Sequence, residues 1–188
     1  MNAFLLSLGV IFVAKLGDKS QLMALAFAAR YRARDIIIGI TVATASVHLV
    51  SVVIGSMLGR TFPTKTISII AGLSFLAFAA WTIRGDKLDD DEAAKVKATQ
   101  RSVLIAVGTA FFLAELGDKT MLATITLATT NGLVGTWIGS TVGMVAADAL
   151  AIVVGQQLGK RLPERVIKIG AAATFVIFGV VLILDGIR

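Results

Sequence analysis

The 188-residue chain has no cysteine, one histidine, two prolines and one tyrosine, and charged residues make up only 16% of it. Without cysteine there is no disulfide framework and no thiolate metal site, so oxygen ligands or the lone His48 would have to hold any metal. So few charges cannot clothe a soluble domain. Hydrophobic residues reach 56% and mean hydropathy +0.87, values that belong to a protein dissolved in a bilayer. No Gly-rich phosphate loop and no nucleophile–base constellation occurs, so neither ATP-driven pumping nor covalent catalysis has support and no enzyme is expected. The formal charge of +6 does not point to nucleic acid, because the basic residues sit in short connections between apolar runs.

Six apolar runs meet the length of about 20 residues that a membrane-spanning helix needs: 2–28, 35–58, 65–83, 102–128, 133–158 and 165–186. Polar, Pro or Gly clusters separate them, at Arg30–Asp35, Arg60–Lys65, Arg84–Arg101, Thr129–Gly132 and Lys160–Glu164. The first run lacks the basic start and small-residue cleavage site of a signal peptide, so it reads as a mature helix. The only long connection, 85–101, carries Asp89, Asp90, Asp91 and Glu92 and reads as a solvated linker.

The chain repeats itself at a constant offset of one hundred. Gly39 matches Gly139, Thr41 matches Thr141, Gly55 matches Gly155, Pro63 matches Pro163, and Phe75 and Phe78 match Phe175 and Phe178. Three helices per copy is an odd number, so the second copy enters the membrane from the opposite side. The expected fold is therefore all-α, with six transmembrane helices arranged as two inverted three-helix repeats, 1–84 and 102–188, around the linker.

Lys and Arg set the orientation. Twelve of them lie after the first, third and fifth runs, against Arg60, Lys65 and Arg188 on the other side. The positive-inside rule then places the linker in the cytoplasm and both termini outside. A bacterial plasma membrane is the expected location. Tyr31, Trp81 and Trp137 near helix ends read as interfacial anchors.

The chemistry concentrates in Ala14-Lys-Leu-Gly-Asp-Lys-Ser20 and its copy Ala114-Glu-Leu-Gly-Asp-Lys-Thr120, each inside an apolar run. Ionised groups at mid-membrane cost about 3 kcal/mol each on insertion scales, so two symmetric clusters point to one site made of two halves. Glu115 and Asp118 share a helix face and, with Thr120 nearby, form a hard oxygen site suited to Mn²⁺, Ca²⁺ or Mg²⁺. Gly17 and Gly117 would let the backbone open there or let helices approach closely, exposing carbonyls as further ligands. A buried Asp–Lys pair that only holds helices together is the competing reading. His48 and Asp148, also a hundred apart at mid-span, are candidates for a proton relay, with a satisfied interior histidine as the plainer account of His48. The spacings Gly55-x₃-Gly59, Gly155-x₃-Gly159 and Gly135, Gly139, Gly143 read as helix-packing seams.

Twin copies of Glu-x-Gly-Asp-Lys-(Ser/Thr) in two three-helix halves resemble the cation/proton exchangers of uncharacterised protein family 0016. That family includes the Golgi manganese and calcium transporters and bacterial manganese exporters. The resemblance covers nearly the whole chain. It implies export of Mn²⁺, or movement of Ca²⁺, in exchange for protons, with Asp18, Glu115 and Asp118 as cation ligands and no resident cofactor. Lys15, Lys19, Ser20, Gln21, Lys119 and Thr120 would support the site, and His48 and Asp148 would couple protons. An exporter of another small solute, such as an amino acid, and a non-transporting assembly factor remain as alternatives.

One position departs from the pattern: Lys15 stands where the family has an acid. Asp18, Glu115, Asp118 and Asp148 then face Lys15, Lys19 and Lys119, four negative charges against three positive. The expectation is that Lys15 pairs with Glu115 and takes the cation's place, leaving the protein impaired, locked or altered in substrate.

Overall fold

A computed structural model of the chain describes residues 2–28, 31–84, 103–158 and 164–187, without the side chains of Lys19 and of residues 155–158, 164–168 and 171. The linker 85–101, Gly159 and Pro163 lie outside the described residues. What is described is helical: α1 (Ala3–Lys15), α2 (Lys19–Ala28), α3 (Ala33–Thr61), α4 (Thr64–Arg84), α5 (Val103–Glu115), α6 (Lys119–Thr130), α7 (Leu133–Leu158) and α8 (Glu164–Ile187).

Eight helices replace the six expected because the first and fourth runs are each broken at the motif. Leu16 leaves α1 in an extended conformation, and Gly17 (φ 74°) and Gly117 (φ 76°) take the left-handed backbone that side-chain-bearing residues avoid. Asp118 then caps α6 by accepting from the Thr120 amide at 3.3 Å, and Asp18 accepts from the Ser20 amide at 3.4 Å. Acid, glycine turn and new helix start are thus one local device, made twice.

Among the described residues three helices are long and apolar enough to cross a membrane, namely α3, α4 and the Leu133–Val154 stretch of α7. The thirteen residues of α1 or α5 rise about 20 Å, short of the bilayer's roughly 30 Å core. The outer surface is apolar, as lipid requires: Val42, Ile83, Val134 and Ile177 are all exposed.

The two copies interleave. α1 packs on α7, α5 on α3, and α4 on α8. Phe75 faces Phe175 with ring centroids 5.8 Å apart; Phe75–Phe178 (6.2 Å) and Phe78–Phe175 (5.9 Å) flank it. The last two contacts interchange when a hundred is added to one number and subtracted from the other. One apolar cluster gathers Val10, Ile11, Phe75, Leu127, Met144 and Phe175; a second gathers Met23, Phe27, Ile36, Ile40, Phe111 and Ile152.

Glycines set the closeness of these contacts. A Cβ on Gly139 would stand 2.3 Å from the Phe4 carbonyl, one on Gly143 2.4 Å from that of Leu8, and one on Gly55 2.2 Å from that of Ile125. The seams expected at Gly55, Gly59, Gly135, Gly139 and Gly143 are therefore real backbone approaches, and Gly72 against Gly179 is a further one on α4 and α8. Gly139→Ala is expected to cost roughly 1–3 kcal/mol, because backbone and not a flexible side chain must give way. Gly9→Ala, with nothing within 4 Å, is the neutral control; thermal unfolding of both in detergent measures the difference.

Candidate functional site

Both motif copies meet in one buried centre. Lys15 at the end of α1 is 0% exposed and Glu115 at the end of α5 1%, and the Lys15 Nζ lies 2.5 Å from Glu115 Oε1. The pairing expected of these two residues is thus present, between positions a hundred apart. Lys15 also donates to Asp18 Oδ2 at 3.3 Å and to the Ser20 hydroxyl, which in turn donates to Asp18 Oδ2 at 2.7 Å. Lys119 crosses from the second copy to Asp18 Oδ1 at 2.8 Å. The second half is built likewise: Thr120 Oγ1 donates to Glu115 Oε2 at 2.9 Å and to Asp118 Oδ2 at 3.2 Å.

An ammonium bound to two carboxylates and a hydroxyl, all of them buried, neutralises part of the negative charge gathered there. Among the described residues no three His, Asp or Glu side chains gather closely enough to hold a metal ion.

The remaining sequence-derived residues fall around the centre. Gln21 ties it to α7, its Oε1 accepting from the Gly17 amide at 2.8 Å and its Nε2 donating to the Ala147 carbonyl at 3.0 Å. In the second copy Met121 takes that position, its sulfur accepting from the Gly117 amide at 3.2 Å. His48 on α3 and Asp148 on α7 are fully buried. The charges of Lys15, Glu115 and Asp18 act on Asp148, and that of Lys15 acts on His48. The Lys19 side chain lies outside the described residues.

Sequence reasoning missed two features. The Ala147 carbonyl is backbone, which no motif announces. Trp137, expected as an interfacial anchor, also donates its indole N–H to the Ala45 carbonyl at 2.9 Å and so fastens α7 to α3.

Buried acids and lysines at the breaks of paired short helices, inside an apolar-faced bundle, define an ion-handling membrane transporter. The chain belongs to the divalent cation/proton antiporter GDT1 family, whose model matches residues 3–90 and 103–188. It is 31% identical over 180 residues to a Vibrio cholerae protein named for manganese export, covering 94% of this chain and 88% of that one. A GDT1-like protein of Synechocystis is 29% identical over 200 residues, with 96% of each covered. The PAM71-homolog of Arabidopsis thaliana chloroplasts is 26% identical over 207 residues, covering 94% of this chain and 58% of that one. No solved structure matches the chain.

Proposed function

We propose that this protein exports divalent cations, Mn²⁺ ahead of Ca²⁺, in exchange for protons across a bacterial plasma membrane. Asp18, Glu115 and Asp118 serve as cation ligands, and Lys15 stands in the cation's place until it is displaced. The supporting observation is that one buried centre draws its acids from both motif copies, each at a helix break, with Lys15 and Glu115 in direct contact. The manganese assignment leans on the Vibrio cholerae relative's name.

The architecture proposed is six spans in two inverted repeats, 1–84 and 102–188, in which α1 with α2, and α5 with α6, each make one broken span. Ten residues of α2 added to thirteen of α1 rise about 35 Å, enough to cross. The interchangeable Phe75–Phe178 and Phe78–Phe175 contacts support the twofold relation. The linker is placed in the cytoplasm and both termini outside. Carbonyls freed at the breaks are further oxygen donors, and His48 and Asp148 couple protons.

Purified protein in liposomes tests the reading. An imposed pH gradient is expected to drive Mn²⁺ uptake above that of protein-free vesicles, slowly, because Lys15 neutralises the site. Proton-driven movement of an amino acid with no divalent-cation flux would place the protein with solute exporters instead.

A further inference from the structure

A Ser or Thr hydroxyl in a helix has a ready partner in the carbonyl one turn back. This protein uses it widely: Thr41 donates to Ile37 at 2.7 Å, Ser51 to Val47 at 2.8 Å and Thr124 to Thr120 at 2.8 Å. Thr44, Thr136 and Thr141 do not. Their buried hydroxyls have no hydrogen-bond partner in the protein, and neither do the two ring nitrogens of His48 nor the two carboxylate oxygens of Asp148. Thr44, His48, Thr136 and Asp148 are each 0% exposed. All five residues belong to α3 and α7, which pack together. Among the described residues Thr82 on α4 shares the property and lies on neither helix.

A buried polar group without a partner costs about 1–3 kcal/mol. Inside a bilayer the partner that can serve several such groups at once, and that fits between packed helices, is water. The register arranges four of the five residues in two lines. Thr44 lies one turn, about 6 Å, before His48 on α3; Thr141 lies two turns, about 10 Å, before Asp148 and within roughly 20° of it around α7. Thr136, nearer the start of α7 and about 120° around it from Asp148, stands off that line. The α7 line ends beside the motif centre, since Gln21, which accepts from the Gly17 amide, donates to the carbonyl of Ala147, the residue before Asp148; His48 is the counterpart of Asp148 on α3.

We propose that α3 and α7 hold two files of internal water, one along Thr44 to His48 and one along Thr141 to Asp148. The files carry protons from opposite membrane faces to the Lys15–Glu115 centre. A proton passes from water to a ring nitrogen or carboxylate oxygen and on to the next water, so no co-reactant is consumed. The proton-carrying role rests on the exchanger reading, whereas the hydration stands on the side chains alone.

The cysteine-free chain gives a direct test. Single cysteines replace Thr44 and Thr141, with Ile40→Cys and Ile152→Cys as controls from the dry apolar cluster. Each variant is sealed in liposomes and exposed to Ag⁺, which reaches a buried thiol only through water. Thr44→Cys and Thr141→Cys are expected to react at least about tenfold faster than the controls, and from opposite sides of the vesicle. Reaction no faster than the controls overturns the water files, and reaction of both from one side overturns their arrangement.

The isosteric Thr44→Val and Thr141→Val variants supply the functional arm. Each is expected to slow Mn²⁺-driven proton movement while leaving Mn²⁺ binding unchanged. If the unaltered protein moves no protons against Mn²⁺ yet the Ag⁺ pattern holds, the exchanger reading fails and with it the proton-delivery role, while the hydration stands.

Discussion

Lys15→Glu is expected to raise Mn²⁺ affinity and exchange rate by at least about a hundredfold, roughly 3 kcal/mol, over the unaltered chain. Lys15 is bonded to Glu115 at 2.5 Å and to Asp18 at 3.3 Å, so its ammonium neutralises the carboxylates a cation would need. The substitution changes the local charge by two units, within a few ångströms of the ion's position. At an effective dielectric of about 20, one unit pair 4 Å apart is worth about 4 kcal/mol. Desolvation offsets part of that gain, yet the remainder still exceeds a hundredfold. Binding by calorimetry in detergent and flux in liposomes report the two quantities. Equal flux from both chains would remove Lys15 from the cation's place, and no flux from either would remove the exchanger reading itself.

The opposite side of the same pair gives the second large effect. Glu115→Gln leaves the fully buried Lys15 with Asp18 and the Ser20 hydroxyl as its partners and takes from Thr120 a charged acceptor. Removing one member of a buried ion pair costs about 3–5 kcal/mol, because the other charge stays behind uncompensated. Glu115→Gln should therefore unfold several degrees lower in detergent. The double variant Lys15→Met with Glu115→Gln should regain most of that loss, since two matched apolar or neutral groups are tolerated where one lone charge is not. It should bind no divalent cation. A double variant as unstable as the single one would show that Glu115 acts by packing and not by charge.

Both predictions turn on a contact that half emerged from the chain itself. The hundred-residue repeat put Lys15 opposite Glu115, and the charge mismatch between the two motif copies was visible there. Gly17 and Gly117 were legible as places where the backbone could open, but not as left-handed turns. That the break would end one helix and start another, splitting two of the six expected runs, was not legible: hydropathy runs straight through Leu16-Gly17 and Leu116-Gly117 without change.

The sequence by itself determined the solvent, the repeat and the chemical types at the centre, because composition, periodicity and motif are carried along the chain. Tertiary structure alone decided that Lys119 reaches across to Asp18, that Gln21 holds the Ala147 carbonyl and that Trp137 holds that of Ala45. It alone decided which threonines keep their own helix as partner and which, with His48 and Asp148, do not. The reason is physical: these pairings depend on where helices distant in sequence cross and how closely glycines let them approach, and on the side-chain rotamers such packing leaves open.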